Sequence, residues 1–195
     1  MIDELKDKAL KEGVPIIKDE GLSFLLAFIE EHQSKQILEL GSAVGYSAIM
    51  MARLGQDIHV DTIEKDEQMY LQAVRNIQAE GLEKQIRIFF QPIEEYRSDK
   101  LYDLIFVDAA KAQYGKYLEM FLDNLADDGY MLFDNMMFHG LVADPESIRS
   151  RSLRGLVRKI RAFSEKVQND ERFDIMRFDD VGDGILVLSR RKSGR

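Results

Sequence analysis

The chain has 195 residues, is 45% hydrophobic and carries a formal charge of −8, the content of one globular domain with a sizeable core and little room for a second. It has no Cys and three His, which excludes disulfides, thiolate catalysis and Cys-based zinc or iron–sulfur sites and leaves any metal to oxygen ligands or those His. No apolar run approaches the roughly 18–20 residues of a transmembrane helix, and Met1 to Glu12 mix Lys with acids where a signal peptide is apolar, so a cytoplasmic protein with no membrane partner is expected.

Three Pro (Pro15, Pro92, Pro145) and the absence of repeats mark no linker, so residues 1–195 read as one unit. Leu22, Leu25, Leu26 and Ile29 recur at helical spacing ahead of a strand at Gln36–Leu40. A second strand spans Asp57–Glu64, after which Asp66 caps a helix through Met69, Ala73 and Ile77 to a stop at Gly81. Strands at Ile86–Gln91 and Tyr102–Asp108 follow, then a helical stripe from Tyr114 to Leu125 and a strand at Gly129–Asn135. A long helix from about Ser152 to Gln168 leads to two strands, Phe173–Phe178 and Gly184–Ser189, close enough for a hairpin. Such alternation predicts an α/β fold: a mostly parallel sheet with right-handed crossovers, helices on both faces and an antiparallel pair at one edge.

In such a sheet ligands bind beyond the carboxyl ends of the strands. The first strand runs into Glu39-Leu-Gly41-Ser-Ala-Val-Gly45-Tyr-Ser47. Gly41 and Gly45 permit a tight turn and close backbone approach, and the helix after them is expected to offer N–H groups to an anion. Ala43 stands at the middle position of a dinucleotide fingerprint and disfavours the pyrophosphate version. Glu64 ends the second strand about twenty residues on, where a carboxylate can accept from ribose hydroxyls; alone, either feature reads equally as an ordinary turn or a solvated Glu. Together they resemble the first two motifs of class I methyltransferases that bind S-adenosylmethionine. That resemblance implies Glu39, Gly41, Ser42 and Ser47 around the methionine end, with Gly45 and Asp108 in the same cofactor set. It also implies Glu64 at the ribose, Pro92 by the adenine, and Ile16 and Ile17 as a cover, though both Ile equally suit a core.

Asp108, Asp134 and Asn135 end the fourth and fifth strands and can converge at one rim. Two carboxylates and an amide oxygen suit Mg²⁺ or a similar hard cation, whereas a lone strand-end Asp is usually a cap or turn residue. Asp108-x-x-Lys111 with the later Asp134-Asn135 resembles the metal-dependent catechol and caffeoyl-CoA type O-methyltransferases, over about residues 13–192. The implied sheet is seven-stranded, of order 3-2-1-4-5-7-6, in a Rossmann-like domain. A divalent ion lowers the pKa of a substrate hydroxyl, Lys111 takes the proton or stabilises its leaving, and the oxygen attacks the sulfonium methyl in line; Lys111 and Asp108 are the catalytic candidates. An ordinary solvated Lys111 is the other reading. His32, His59 and His139 show no ligand spacing and read as structural, with His139 close to the site.

Residues 149–195 hold 13 Lys and Arg against 7 Asp and Glu, while residues 1–148 hold 14 against 28. No acid lies between Arg149 and Arg161, and in a helix Arg151, Arg154, Arg158 and Arg161 share one face opposite Leu153, Leu156, Val157, Ile160 and Phe163. A phosphate backbone suits such a face; a surface helix balancing an acidic body is the alternative. With Asp108-Ala-Ala-Lys-x-Gln-Tyr, Gly140-Leu-Val-Ala and Val181-Gly-Asp-Gly184, the helix resembles the bacterial tRNA 5-hydroxyuridine methyltransferases. The resemblance implies 5-methoxyuridine formation at the wobble position, a tRNA anticodon stem-loop partner and a homodimer, with the chain beginning at about the family's second helix. A small-molecule catechol-type O-methyltransferase and a non-catalytic nucleotide-binding module remain as alternatives.

Overall fold

In the computed structural model, which describes residues 2–191, two helices, α1 (Ile2–Lys11) and α2 (Asp19–Glu31), precede the first strand. The apolar runs then alternate with helices: β1 (Gln36–Leu40), α3 (Tyr46–Ala52), β2 (His59–Glu64), α4 (Glu67–Ala79), β3 (Ile86–Phe90), β4 (Tyr102–Val107), α5 (Tyr114–Phe121) and β5 (Leu125–Phe133). After α6 (Arg151–Gln168) come β6 (Phe173–Phe178) and β7 (Ile185–Arg190). The seven strands form one sheet of order β3-β2-β1-β4-β5-β7-β6. Every neighbouring pair is parallel except those made by β7, which runs antiparallel to both β5 and β6. The expected fold class and strand order are those observed.

Side chains alternate across each strand, so the sheet feeds two cores. Ile37, Leu104, Phe106 and Leu132 meet α2 and α3 on one face, while Leu38, Ile105, Phe133 and Leu188 meet α5 and α6 on the other. Burial on both faces explains why β1 and β4 read as near-continuous apolar runs. Leu40 pairs with both Ile63 and Val107, and Val107 pairs with Phe133, so β1, β2, β4 and β5 end level. This register brings the residues after each strand to one rim.

Four local expectations change. Helix α1 was not anticipated: its buried Leu5 and Ala9 give too short a stripe to read as a helix, and its packing on α3 supplies the rest. The helical stripe after Tyr114 ends at Phe121, and Leu125 instead opens β5, paired with Tyr102 across an irregularity where Gly129 lies too close to the Tyr102 carbonyl for a Cβ. Helix α6 starts at Arg151, capped by Ser150, whose Oγ accepts from Leu153 N–H. Leu153, expected on the apolar face, is among the exposed large hydrophobics, because the first turn of α6 lies beyond the core that Val157, Ile160 and Phe163 reach. The Asp66 cap of α4 is present as expected, accepting from Met69 N–H. Among the described residues no helix is long and apolar enough to cross a membrane.

Candidate active site

Beyond β1 the chain turns through Gly41 at φ +98°, where a Cβ would stand 2.3 Å from the Asp108 carbonyl oxygen. Glycine is therefore needed for the close approach of the β1 and β4 ends. Gly45, at φ +81°, packs against Ala73 of α4. The turn is tied inward: Gly41 and Ser42 N–H donate to the Ile63 carbonyl, Gly45 N–H to that of Ser42, and Ala43 N–H to Glu64 Oε2 at 2.8 Å. The donors spent in this way belong to the turn before α3, which closes against the end of β2. Glu64 Oε1 also accepts from Lys65 and Asp66 N–H. A carboxylate has about four acceptor positions, so Glu64 keeps one for a ligand on Oε2.

Glu39 is fully buried in β1, and its two oxygens accept from the hydroxyls of Ser47 and Thr62. Burial pushes its carboxyl up to about 7, with those two hydrogen bonds pulling the other way. It is not among the residues that line the cavity, nor are Gly45 and Pro92. Ile16, Ile17, Gly41, Ser42, Ser47 and Glu64 face that cavity directly, which measures about 640 Å³. The Ser42 hydroxyl is buried and without a hydrogen-bond partner, an open donor and acceptor in the wall.

Asp108, Lys111, Asp134 and Asn135 line the same cavity, the convergence expected from level strand ends. Burial raises the Asp108 carboxyl, with Lys111 opposing. Asp134 is pushed up to about 7 by burial and then by Asp108, against the Asn135 N–H and the charge of Lys111. Its Oδ1 accepts from Asn135 N–H at 2.7 Å and its carbonyl from Tyr114 Oη at 2.7 Å. Asn135 itself sits at φ +58°, a conformation non-glycine residues seldom hold. Asp134, buried and repelled by Asp108, is short of positive charge, and the oxygens of the pair suit a hard divalent cation. Among the described residues no cluster of three or more acidic or His side chains gathers into a metal site, so such an ion would rest on these two carboxylates, the amide and water.

Two polar cavity residues, Lys18 and Asp183, have no role in the sequence reading, and His139 enters it only as a structural residue close to the site. Lys18 precedes α2, His139 follows β5, and Asp183 lies in the β6–β7 turn. Only Val181-Gly-Asp-Gly184 offered a signal, and as a turn it gave no reason to bury its Asp. His139 is more than a neighbour of the site, since it lines the cavity. Arg151, Arg154, Arg158 and Arg161 do not face this cavity; they line a second concavity of about 750 Å³ outside α6, with Pro145 and Glu165. Arg154 is turned back onto the Ile148 carbonyl at 2.9 Å.

A family model described as O-methyltransferase matches residues 1–192. A caffeoyl-CoA O-methyltransferase of Populus kitakamiensis is 31% identical over 204 aligned residues, covering 97% of this chain and 86% of its own. The structure of a candidate caffeoyl-CoA O-methyltransferase from Staphylococcus aureus superposes with a TM-score of 0.93 at 34% identity, covering 97% of this chain and 92% of that one. A methyltransferase from Podospora anserina bound to S-adenosylhomocysteine superposes at 0.78 with 25% identity, over 88% of this chain and 78% of that one.

Proposed function

The chain belongs to the O-methyltransferase family, and on that premise we propose that it transfers the methyl group of S-adenosylmethionine to one of two neighbouring oxygens of a small catechol-type substrate, with a divalent cation. One observation carries the reading: a single cavity is lined by Gly41, Ser42, Ser47 and Glu64 together with Asp108, Lys111, Asp134 and Asn135. The names of the relatives in poplar and Staphylococcus support the substrate class, and the S-adenosylhomocysteine of the Podospora neighbour supports the cofactor.

Bound in the cavity, S-adenosylmethionine supplies a sulfonium methyl, whose carbon–sulfur bond breaks toward sulfur as the carbon–oxygen bond forms. A divalent cation supplies Lewis acidity that eases loss of the hydroxyl proton. The chain does the rest. Glu64 keeps one acceptor position for a ribose hydroxyl, its other three fixed by backbone donors that orient it without substrate. Ser42 Oγ offers an unused donor to a polar cofactor group. Ile16 and Ile17 cover the opening and exclude water. Asp108, Asp134 and Asn135 would hold the cation, and Lys111 Nζ would take the departing proton when neutral or stabilise the oxyanion when charged.

A second reading has one structural observation in its favour, the Arg face of α6 with its own concavity. On that reading the substrate is a tRNA anticodon stem-loop carrying 5-hydroxyuridine, whose 5-hydroxyl and 4-carbonyl are vicinal oxygens, and Arg151, Arg154, Arg158 and Arg161 hold phosphates. The deciding experiment assays wild type and the variant with all four Arg changed to Gln on a catechol-bearing acyl thioester and on the modified stem-loop, with S-adenosylmethionine and Mg²⁺. Methylation of the thioester, equal in both proteins, is expected. Turnover confined to the stem-loop and lost in the variant replaces the small-molecule reading with the tRNA one.

A further inference from the structure

The segment after β5 is held in an unusual backbone. Asn135, Phe138 and His139 have φ of 58°, 43° and 57°, and Gly140 follows at 77°. Non-glycine residues hold such angles only where surrounding structure over-determines them. Local turn bonds contribute, from Leu141 N–H to the Phe138 carbonyl and from Val142 N–H to the Met137 carbonyl, and three further restraints come from the turn between β6 and β7. Met136 N–H donates to the Gly184 carbonyl at 2.9 Å and Met137 N–H to the Asp183 carbonyl at 2.7 Å. Gly184 lies so close that a Cβ there would meet Met137 N at 2.8 Å. Backbone supplies those contacts whatever the side chains. The third restraint is different: Asp183 Oδ1 accepts from His139 N–H at 2.6 Å.

The Asp183 side chain is 5% exposed, and its Oδ2 has no hydrogen-bond partner. Two basic side chains that line the cavity approach it, Lys18 Nζ at 3.8 Å from Oδ1 and His139 Nδ1 at 3.5 Å from Oδ2. The same turn is seated on the first turn of α2, where a Cβ on Gly182 would come within 3.2 Å of Gly21. Gly21 in turn lies beside Ile17 and 4.0 Å from Asp134 Oδ1, measured from the Cβ it lacks. A buried carboxylate is expensive unless its bonds are needed, and here they join the Ile16–Lys18 segment to the 135–140 segment.

We propose that Asp183 is a positioning residue that latches the segment after β5 in its left-handed conformation, so that Asn135 is presented to the cavity and the Lys18 and His139 side chains are held in register. Its consequence for catalysis rests on the methyltransferase reading above; the latch itself rests on the geometry. Asp183 acts through Asn135 and His139.

Two variants separate a latch from a general structural role. Asp183→Asn keeps an acceptor for His139 N–H and loses the charge; Asp183→Ala loses both. Amide hydrogen exchange on the unliganded protein is expected to speed up about tenfold in residues 136–142 of D183A, with protection in β1 and β4 unchanged, and to stay near wild type in D183N. Mn²⁺ titration is expected to give a dissociation constant raised about tenfold in D183A and within about threefold of wild type in D183N. Should D183A fail to fold, Asp183→Ser, too short to reach His139 N–H, takes its place. Unchanged local exchange in D183A, or D183N as perturbed as D183A, overturns the latch. Exchange that rises equally throughout the sheet assigns Asp183 to bulk stability and also overturns it. If wild type binds no Mn²⁺, the metal reading falls, and the exchange comparison alone decides the latch.

Discussion

On the β1–β2 side of the rim both carboxylates have internal donors on both oxygens: Glu39 from Ser47 and Thr62, and Glu64 from three backbone N–H groups. On the β4–β5 side Asp134 accepts from its neighbour's N–H, burial raises both it and Asp108, Asp108 adds repulsion to Asp134, and Asp183 leaves Oδ2 without a hydrogen-bond donor. The carboxylates of the first side are oriented before anything binds and can act as a rigid mould. The second carries negative charge that an incoming cation would complete. Preorganisation and deficit thus meet in one cavity, and substitutions in the two sets should fail in different ways.

The largest expected effect is on the deficient side. Asp134→Ala should lower turnover by about 100-fold or more, because the cation loses a charged ligand. Cofactor binding, measured by calorimetry, should change little, since Glu64 and Ser42 belong to the other set. The folded protein should be no less stable than wild type, because the substitution removes a buried, repelled charge. Wild-type rate in Asp134→Ala at saturating Mg²⁺ would remove the metal from the mechanism.

The preorganised side should break through its backbone. Gly41→Ala puts a Cβ 2.3 Å from the Asp108 carbonyl at a φ of +98°, so the β1 and β4 ends must separate. A loss of about 3 kcal/mol or more in urea denaturation is expected, with activity falling too, because Asp108 moves with its carbonyl. A stable Gly41→Ala with intact activity would show that the two strand ends are not tightly coupled.

Much of this arrangement was legible in the sequence because it depends on strand ends. Once the alternation of β1, β2, β4 and β5 was read, Gly41, Glu64, Asp108 and Asp134 had to reach one rim. What depended on side-chain direction was less legible: Glu39 does not line the cavity because Thr62 on the neighbouring strand offers it a hydroxyl. Asp183 was missed because its burial comes from Gly182 docking on Gly21, a contact between residues far apart in the chain. Leu125 was read into a helix because its spacing from Leu118 and Phe121 is helical, and pairing with Tyr102 overrides that pattern.

Glu39 offers a sharper test of how the mould is balanced. Its carboxyl is raised from the usual carboxylate value to about 7 by burial. Between roughly pH 4.5 and 7 the folded protein keeps a proton that the unfolded chain releases, so this group's contribution to stability falls as pH rises through that window and is fully lost above it. The loss is on the order of 3 kcal/mol. Glu39→Gln stays neutral throughout, and the Ser47 and Thr62 hydroxyls can rotate to accept from its amide. Its melting temperature should therefore fall less than that of wild type between pH 5 and 7, by an amount calorimetry can read. Parallel pH profiles would mean that Glu39 is held ionised and that its hydrogen bonds outweigh its burial.

The smallest expected effect lies beneath the β4–β5 side. Tyr114 is fully buried under the rim, its ring packed on Phe133 and Phe163 and its hydroxyl donating to the Asp134 carbonyl at 2.7 Å. Phe in its place keeps the ring and nearly all the volume, so the change isolates one hydrogen bond to the backbone that carries Asp134 and leads into Asn135. A buried carbonyl left without this donor costs about 1–2 kcal/mol. Because the carbonyl belongs to a proposed metal-holding residue, the same substitution should lower affinity for Mg²⁺ a few-fold while leaving S-adenosylmethionine binding unchanged. Urea denaturation and metal titration of Tyr114→Phe read the two effects separately. A stability loss of that size with unchanged metal affinity would confine the hydroxyl to packing and show that the conformation of Asp134 is set from the β6–β7 turn rather than from below.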